Sequence, residues 1–280
     1  MLNPRWIRTH LARWVPEAVK APFRARLFGY GATGLARGTV GPPGDLVECE
    51  IAGVRFRAPG VARDDLAYHL VDNADSVDEM HAVVRAARER GGMLMDVGAA
   101  RGLISAVFCL AADGARAVAY EPAPGQARDA ERLAEMNGVA DRIQVRRAAV
   151  GASPAAMRGR EDALGLIDLA PAEGADTFDV EMTTLDAETA RLGVPTVVKI
   201  DVEGYELEVL RGATSLLREH RPLLLLELHL DILERRGVRI ADVTALLDDA
   251  GYRLETSAGK RLSTRAVHGS PNAVLRIVAR

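Results

Sequence analysis

The run Lys199-Ile200-Asp201-Val202-Glu203-Gly204-Tyr205-Glu206 follows a short apolar stretch, Thr196 to Val198. While the chain stays extended, side chains alternate, so Lys199, Asp201 and Glu203 share a face. A lysine at the end of a buried strand is costly unless paired, and Asp201 is the natural partner. A second apolar strand, Leu223 to Leu228, runs into His229; Glu227 and His229 also share a face. If the two strands are neighbours, five ionisable groups meet at one sheet edge. Such a cluster can move protons, or it can be a salt-bridged cap on the sheet. His229 titrates near neutral pH by its intrinsic chemistry, and acids flank it at an edge where ligands bind, which favours the chemical role.

A second constellation is the turn Asp96-Val97-Gly98-Ala99-Ala100-Arg101-Gly102. Gly98 permits a tight turn, and Ala99 and Ala100 keep the loop low enough for a ligand to lie on its backbone. Gly102 lets the following helix pack close to the strand. Glu121 ends the next strand, 19 residues after Gly102, where a carboxylate can accept both hydroxyls of a ribose. A nicotinamide site would show G-x-G-x-x-G, but Ala100 occupies the middle glycine position. Asp96, two residues before the first glycine, suits a ligand with an ammonium group rather than a pyrophosphate. S-adenosylmethionine carries both an ammonium and a ribose and is favoured over NAD.

These groups need strands that end together. Leu46 to Ala58 alternates about Gly53 and predicts a hairpin. Ser76 to Arg90 reads as a helix, with Ser76 and Glu79 as a capping box and Gly91 and Gly92 ending it. Strands are expected at 93–97, 115–120, 143–150, 196–200, 223–228, 252–256 and 273–278. Helices are expected at 103–112, 125–137, 206–219 and 241–250. Strands alternating with helices predict an α/β fold with a doubly wound, mostly parallel sheet. Ligands bind such sheets beyond the carboxyl ends of the strands, where the strand order reverses.

The 280 residues are 48% hydrophobic and 27% charged, which excludes a disordered chain, a fibre and a nucleic-acid-coating protein. Residues 1–44 hold seven basic residues against one acid, Glu17, a net +6 that leaves −9 for the rest of a chain whose total is −3. The acidic remainder argues against DNA or RNA as a partner. Three divisions follow: a basic helical appendage and linker at 1–45, a lead-in hairpin and helix at 46–90, and the main domain at 91–280. The appendage is expected to pack on the main domain or on a second copy in a homodimer. Its basic and aromatic residues alternatively suit peripheral contact with a membrane surface. No apolar run reaches a membrane span and no secretory leader pattern is present, so cytoplasm is the expected location. Cys49 and Cys109 are expected to be reduced.

The motifs together resemble the FkbM family of S-adenosylmethionine-dependent methyltransferases. The matching pieces are the turn at 96–102, Tyr-Glu-Pro at 120–122, Ala-Val-Gly at 149–151 and Thr-Leu-Asp at 184–186. They continue with Lys-Ile-Asp-Val-Glu-Gly-Tyr-Glu at 199–206, Arg-Gly-Ala at 211–213 and Glu-Leu-His at 227–229, in the family's order and spacing over about residues 76–260. One departure is Ala100, where members commonly have Asn; it removes a polar contact near the cofactor. The resemblance implies a Rossmann-like class I methyltransferase sheet of seven strands, the last antiparallel. It places Asp96, Gly98 and Gly102 at the methionine end of the cofactor and Glu121 at the ribose, with Ala99, Ala100 and Pro122 as further cofactor-binding residues. Ala148 and Ala149 fall near the adenine and Asp201 faces the sulfonium methyl.

Methyl transfer to an alcohol needs alignment of the acceptor and a base for its proton. His229 fits by intrinsic pKa; Glu203 or Glu227 would fit if burial raises theirs. Lys199 could stabilise a developing alkoxide or tie down Asp201. Metal independence is expected because His229 offers a base; alternatively Asp201, Glu203 and Glu227 could hold a divalent cation such as Mg²⁺. By resemblance the acceptor is a hydroxyl of a glycan, sugar or other natural product. Two other classes stay open: a methyltransferase fold that binds or scaffolds without catalysing, and a nicotinamide-dependent oxidoreductase.

Overall fold

The structure, a computed structural model, describes residues 37–42, 44–161, 167–168, 177–268, 270 and 274–280. The expected basic helical appendage lies outside the described residues, apart from its last few positions. Three antiparallel strands come first: β1 (Thr39–Val40), within the stretch expected to be linker, then β2 (Leu46–Ile51) and β3 (Val54–Pro59). The expected hairpin turns at Ala52 and Gly53, both at positive φ, the conformation that matches strand twist in a two-residue loop. Val47, Cys49, Ile51, Val54 and Phe56 face the core, and both cysteines are free and buried.

Helix α1 (Ala74–Arg90) follows. Its cap is Asn73, not Ser76: Asn73 Oδ1 accepts the amides of Asp75 at 3.1 Å and Ser76 at 3.3 Å. Glu79 is therefore not spent on a capping box and points to the sheet. Next come β4 (Met93–Val97), α2 (Leu103–Ala111), β5 (Arg116–Tyr120), α3 (Pro124–Met136) and β6 (Ile143–Arg146). The strand expected at 143–150 divides at Arg147. Its second half, β7 (Ala148–Val150), leaves the main sheet and joins β8 (Ala155–Glu161), β9 (Ile167–Asp168) and β10 (Thr177–Thr183) in a four-stranded sheet ordered β7-β10-β8-β9.

After α4 (Leu185–Leu192) come β11 (Val197–Ile200) and α5 (Glu206–Arg211). The helix expected at 206–219 is interrupted at Gly212. A Cβ there would lie 2.0 Å from the Gly151 carbonyl oxygen, and the Gly212 carbonyl accepts the Asp186 amide. Asp186 in turn accepts the amides of Ser215 and Leu216 at 3.0 and 2.8 Å, which starts a separate helical turn. The chain ends with β12 (Leu223–His229), α6 (Leu230–Arg235), α7 (Ile240–Asp249), β13 (Leu254–Thr256), β14 (Arg261–Leu262) and β15 (Val274–Ala279).

The main sheet is ordered β14-β13-β15-β12-β11-β4-β5-β6. β6, β5, β4, β11 and β12 are parallel, and β15 inserts antiparallel between β12 and β13. This is the expected seven-stranded class I methyltransferase sheet with β14, two residues long, added at one edge. One face packs Leu94, Val197 and Leu225 against α1 and α2; the other packs Met95, Val198 and Leu226 against α5 and α7. The strand order reverses between β4 and β11, where such sheets bind ligands. Among the described residues no helix is long and apolar enough to cross a membrane.

Candidate active site

The face beneath α1 is apolar along most of its length and turns ionic where the strands end. Lys199 stands opposite Asp96 across β11 and β4; Glu227 stands opposite Arg276 across β12 and β15. The Lys199 side chain is 2% exposed, and its Nζ lies 3.1 Å from Glu79, 3.4 Å from Asp201 and 3.6 Å from Glu227. The expected Asp201 pair is present, but the shortest contact is to Glu79. Arg276 bridges the same acids, at 3.0 Å to Glu79 and 2.6 Å to Glu227. Burial alone would neutralise the lysine, yet Asp201, Glu79 and Glu227 outweigh it and keep it charged. Burial also pushes the carboxyls up. Lys199 and Arg276 overcome that for Glu79, and Lys199 with His229 overcomes it for Asp201. Glu227 is the exception: burial and the adjacent Asp201 outweigh Lys199 and lift it to about 8.

His229 lies at the mouth of this cluster, 5% exposed. Its Nδ1 meets Glu206 Oε1 at 2.7 Å. Its Nε2 faces Glu203 at 3.2 Å, Asp201 at 3.8 Å and Glu227 at 4.0 Å. Burial opposes charge on the ring, but the Glu206 hydrogen bond and the Glu203 and Asp201 carboxylates lift its pKa to about 9. Glu203 and Asp201 are the open members, with side chains 46% and 33% exposed. The five groups expected to converge do so, joined by Glu79, Glu206 and Arg276. Arg276 is legible as a lone charge inside an apolar strand. Glu79 is disguised by its fit to a capping box.

Asp201, Glu227 and His229 present one ligand atom each within 4.8 Å of one another, a set that holds His229 where Glu203 was expected. Asp201 and Glu227 already lie against Lys199, and Glu227 also against Arg276. A divalent ion would enter against two buried cations, so the donor set suits an ion poorly.

The turn after β4 sits beside this cluster. The amides of Gly98 and Ala99 both donate to the Tyr120 carbonyl, and the Gly102 amide to that of Ala99. The Ala100 amide donates to Glu121 Oε2 at 2.8 Å, while Glu121 Oε1 accepts the Ala123 amide at 2.8 Å. These amides are spent within the chain, whereas a pyrophosphate turn aims its amides at the ligand. Asp96 is buried and accepts from Ser105 Oγ at 2.7 Å; burial lifts its carboxyl to about 6 against that bond. Pro122 is half-buried after Glu121, and Ala148 and Ala149 are buried on β7.

Ala100 adopts φ 47°, a left-handed conformation that costs a side-chain-bearing residue about 1–2 kcal/mol and that asparagine tolerates better. Ala100→Asn is expected to stabilise the fold by about 0.5 kcal/mol, read as a higher urea midpoint at unchanged slope.

A family model described as the methyltransferase FkbM domain matches residues 96–254, more than half of the chain. Hexuronic acid methyltransferase AglP of Haloferax volcanii is 41% identical over 68 residues, 24% of this chain and 26% of that protein. The chain thus spans about a quarter of that curated relative's length. Among solved structures, methyltransferase FkbM from Methylobacillus flagellatus KT is 18% identical, covering 77% of this chain and 57% of that one, with a TM-score of 0.46. Precorrin-6y C5,15-methyltransferase from Geobacter metallireducens GS-15 is 15% identical, covering 71% of this chain and 85% of that one, with a TM-score of 0.41. The family match takes in the turn at 96–102, the whole Lys199–Glu206 run and His229. The chain belongs to the FkbM methyltransferase family.

Proposed function

We propose that this chain is an S-adenosylmethionine-dependent O-methyltransferase acting on a hydroxyl of a sugar or other natural product, without a metal. The observation that carries the reading is the buried imidazole of His229. Its Nε2 faces two partly open carboxylates beside the turn where the strand order reverses. S-adenosylmethionine supplies an activated methyl on a sulfonium. Asp96, Gly98, Ala99, Ala100 and Gly102 would hold its methionine end, and Glu121 with Pro122 its ribose. Ala148 and Ala149 would lie near its adenine. A carboxylate accepts up to about four hydrogen bonds, so bracing the turn and accepting from a ribose are compatible for Glu121. Asp201 would face the sulfonium.

His229 Nε2 takes the hydroxyl proton as Glu203 yields its place to the acceptor. An imidazole with pKa about 9 is only about 1% neutral at pH 7. Lys199 ties down Asp201 and does not reach solvent. Open carboxylates accept from sugar hydroxyls and repel anions, so Asp201 and Glu203 suit a neutral polyhydroxylated acceptor. Neutral sugars are therefore the acceptors to try first, with a hexuronic acid, which the relative's name carries, as the charged comparison.

The test is calorimetry with S-adenosylhomocysteine, with and without Mg²⁺, followed by transfer of labelled methyl to a panel of sugars. Micromolar binding that ignores Mg²⁺ is expected. Asp96→Ala should weaken binding at least about 100-fold, whereas His229→Ala should keep affinity and slow turnover by about 100-fold or more. Unchanged affinity in Asp96→Ala would show that the turn does not hold the cofactor. Full turnover in His229→Ala would move the base role to an acid.

A further inference from the structure

We propose that Glu206 is the positioning residue of the site: it fixes a proton on His229 Nδ1, so that exchange with the acceptor takes place at Nε2 alone. The inference rests on the reading of His229 as the base, and it concerns a residue whose own place in the chemistry neither composition nor spacing singles out.

Glu206 begins α5 and is fully buried. A carboxylate in such a place is unfavourable unless charge and hydrogen bonds compensate it. Among the described residues its sole ion-pair partner is His229. Oε1 accepts both from the imidazole at 2.7 Å and from the Gly204 amide at 3.0 Å, while Oε2 makes no hydrogen bond. The Gly204 amide alone would be served equally by a glutamine, so a charged group here is explained by the ring it touches. A carboxylate accepts only, so the atom facing it must be Nδ1–H. The second nitrogen is thereby set toward the open side of the site, the arrangement by which a buried acid orients a catalytic imidazole.

The turn before α5 is shaped to hold this contact. Glu203 and Gly204 are both left-handed, at φ 49° and 94°. A Cβ on Gly204 would come 2.4 Å from Ile232 Cγ2. Arg236 on the loop after α6 stacks its guanidinium 3.6 Å from the Tyr205 ring, donates to the Gly204 carbonyl and pairs with Glu208 at 2.8 Å. The groups facing the ring are thus Glu206 from α5, Glu203 from the turn, Asp201 from the end of β11 and Glu227 from β12. Lys199, Arg276 and Glu79 lie behind Asp201 and Glu227. Of the acids that face the ring, only Glu206 is on the Nδ1 side.

The experiment uses the full chain labelled with ¹⁵N-histidine. A proton held between an imidazole nitrogen and a buried carboxylate gives a far-downfield, slowly exchanging resonance. That resonance is expected in the wild type, absent in His229→Gln, which assigns it, and lost or moved upfield in Glu206→Gln. With a sugar that turns over, Glu206→Gln should lower kcat by about 100-fold and change KM less than about twofold. Adding it to His229→Gln should cost nothing further, because the two act as one unit. Glu206→Asp, which keeps the charge, should retain the resonance and part of the rate. A downfield proton unchanged in Glu206→Gln, or full additivity with His229→Gln, would overturn the inference. The spectrum needs no acceptor, so this failure is distinct from failure of the sugar reading, which would appear as an intact resonance without methyl transfer.

Discussion

Lys199→Met is expected to destabilise the folded chain by about 3–5 kcal/mol at pH 7, because it removes one partner of a buried ionic network and leaves the rest uncompensated. For a chain of this size that is a fall in Tm on the order of 10 °C. Methionine fills nearly the same volume, so packing contributes little of the loss. The ammonium group touches Glu79, Asp201 and Glu227 within 3.6 Å, and Arg276 cannot serve all three. The pH dependence identifies the cause. In the wild type, Glu79 and Asp201 titrate below their ordinary range. The stability they contribute is therefore present above that range and lost as pH falls through their folded values. Without the lysine, burial dominates and these carboxyls rise above their unfolded values. The variant then binds more protons folded than unfolded and gains stability as pH drops. The gap between wild type and Lys199→Met should narrow steadily from pH 8 to pH 5. At pH 7 the double variant Lys199→Met/Glu79→Gln should be more stable than Lys199→Met alone. A gap that is constant with pH would mean that the loss comes from packing and not from charge.

The same network explains what the sequence made legible. Strands that alternate or run apolar, and helices with one apolar face, follow from local periodicity; their alternation gives a doubly wound, mostly parallel sheet, and the antiparallel last strand came from the family resemblance. The groups at 199–203 and 227–229 were readable because both segments obey a period of two up to the sheet's edge. What escaped was decided by contacts distant in sequence. Glu79 satisfies a local capping pattern, yet Asn73 takes the cap and Glu79 is drawn to Lys199, 120 positions away. The break at Gly212 depends on Asp186 and Gly151. The division at Arg147 depends on β10, whose residues 181–183 offer β7 a parallel partner. Glu206 reads as an ordinary first-turn acid until β12 brings His229 against it.

Gly98→Ala should abolish cofactor binding, with affinity for S-adenosylhomocysteine falling at least about 100-fold, or more than about 2.7 kcal/mol. Two separate obstacles stand at this position. The backbone is left-handed at φ 78°, which costs a side-chain-bearing residue about 1–2 kcal/mol. A Cβ would also lie 1.8 Å from the Asp201 carbonyl oxygen and 2.9 Å from its carbon. That neighbour is backbone and is itself anchored, since the Asp201 amide donates to the Val97 carbonyl at 3.0 Å. Relief therefore requires the ends of β4 and β11 to separate, at the point where the strand order reverses and where Asp201 is proposed to face the ligand. Gly102→Ala meets the side chain and Cα of Ala130 at 2.8 and 3.0 Å, so α3 would have to shift but the junction would survive; an intermediate loss is expected. Gly138→Ala supplies the control, being left-handed at φ 66° with nothing within 4 Å. It should cost only the conformational penalty of about 1–2 kcal/mol and leave binding intact. If Gly98→Ala behaves like Gly138→Ala in calorimetry and thermal unfolding, the contact between this turn and Asp201 is not what holds the site together.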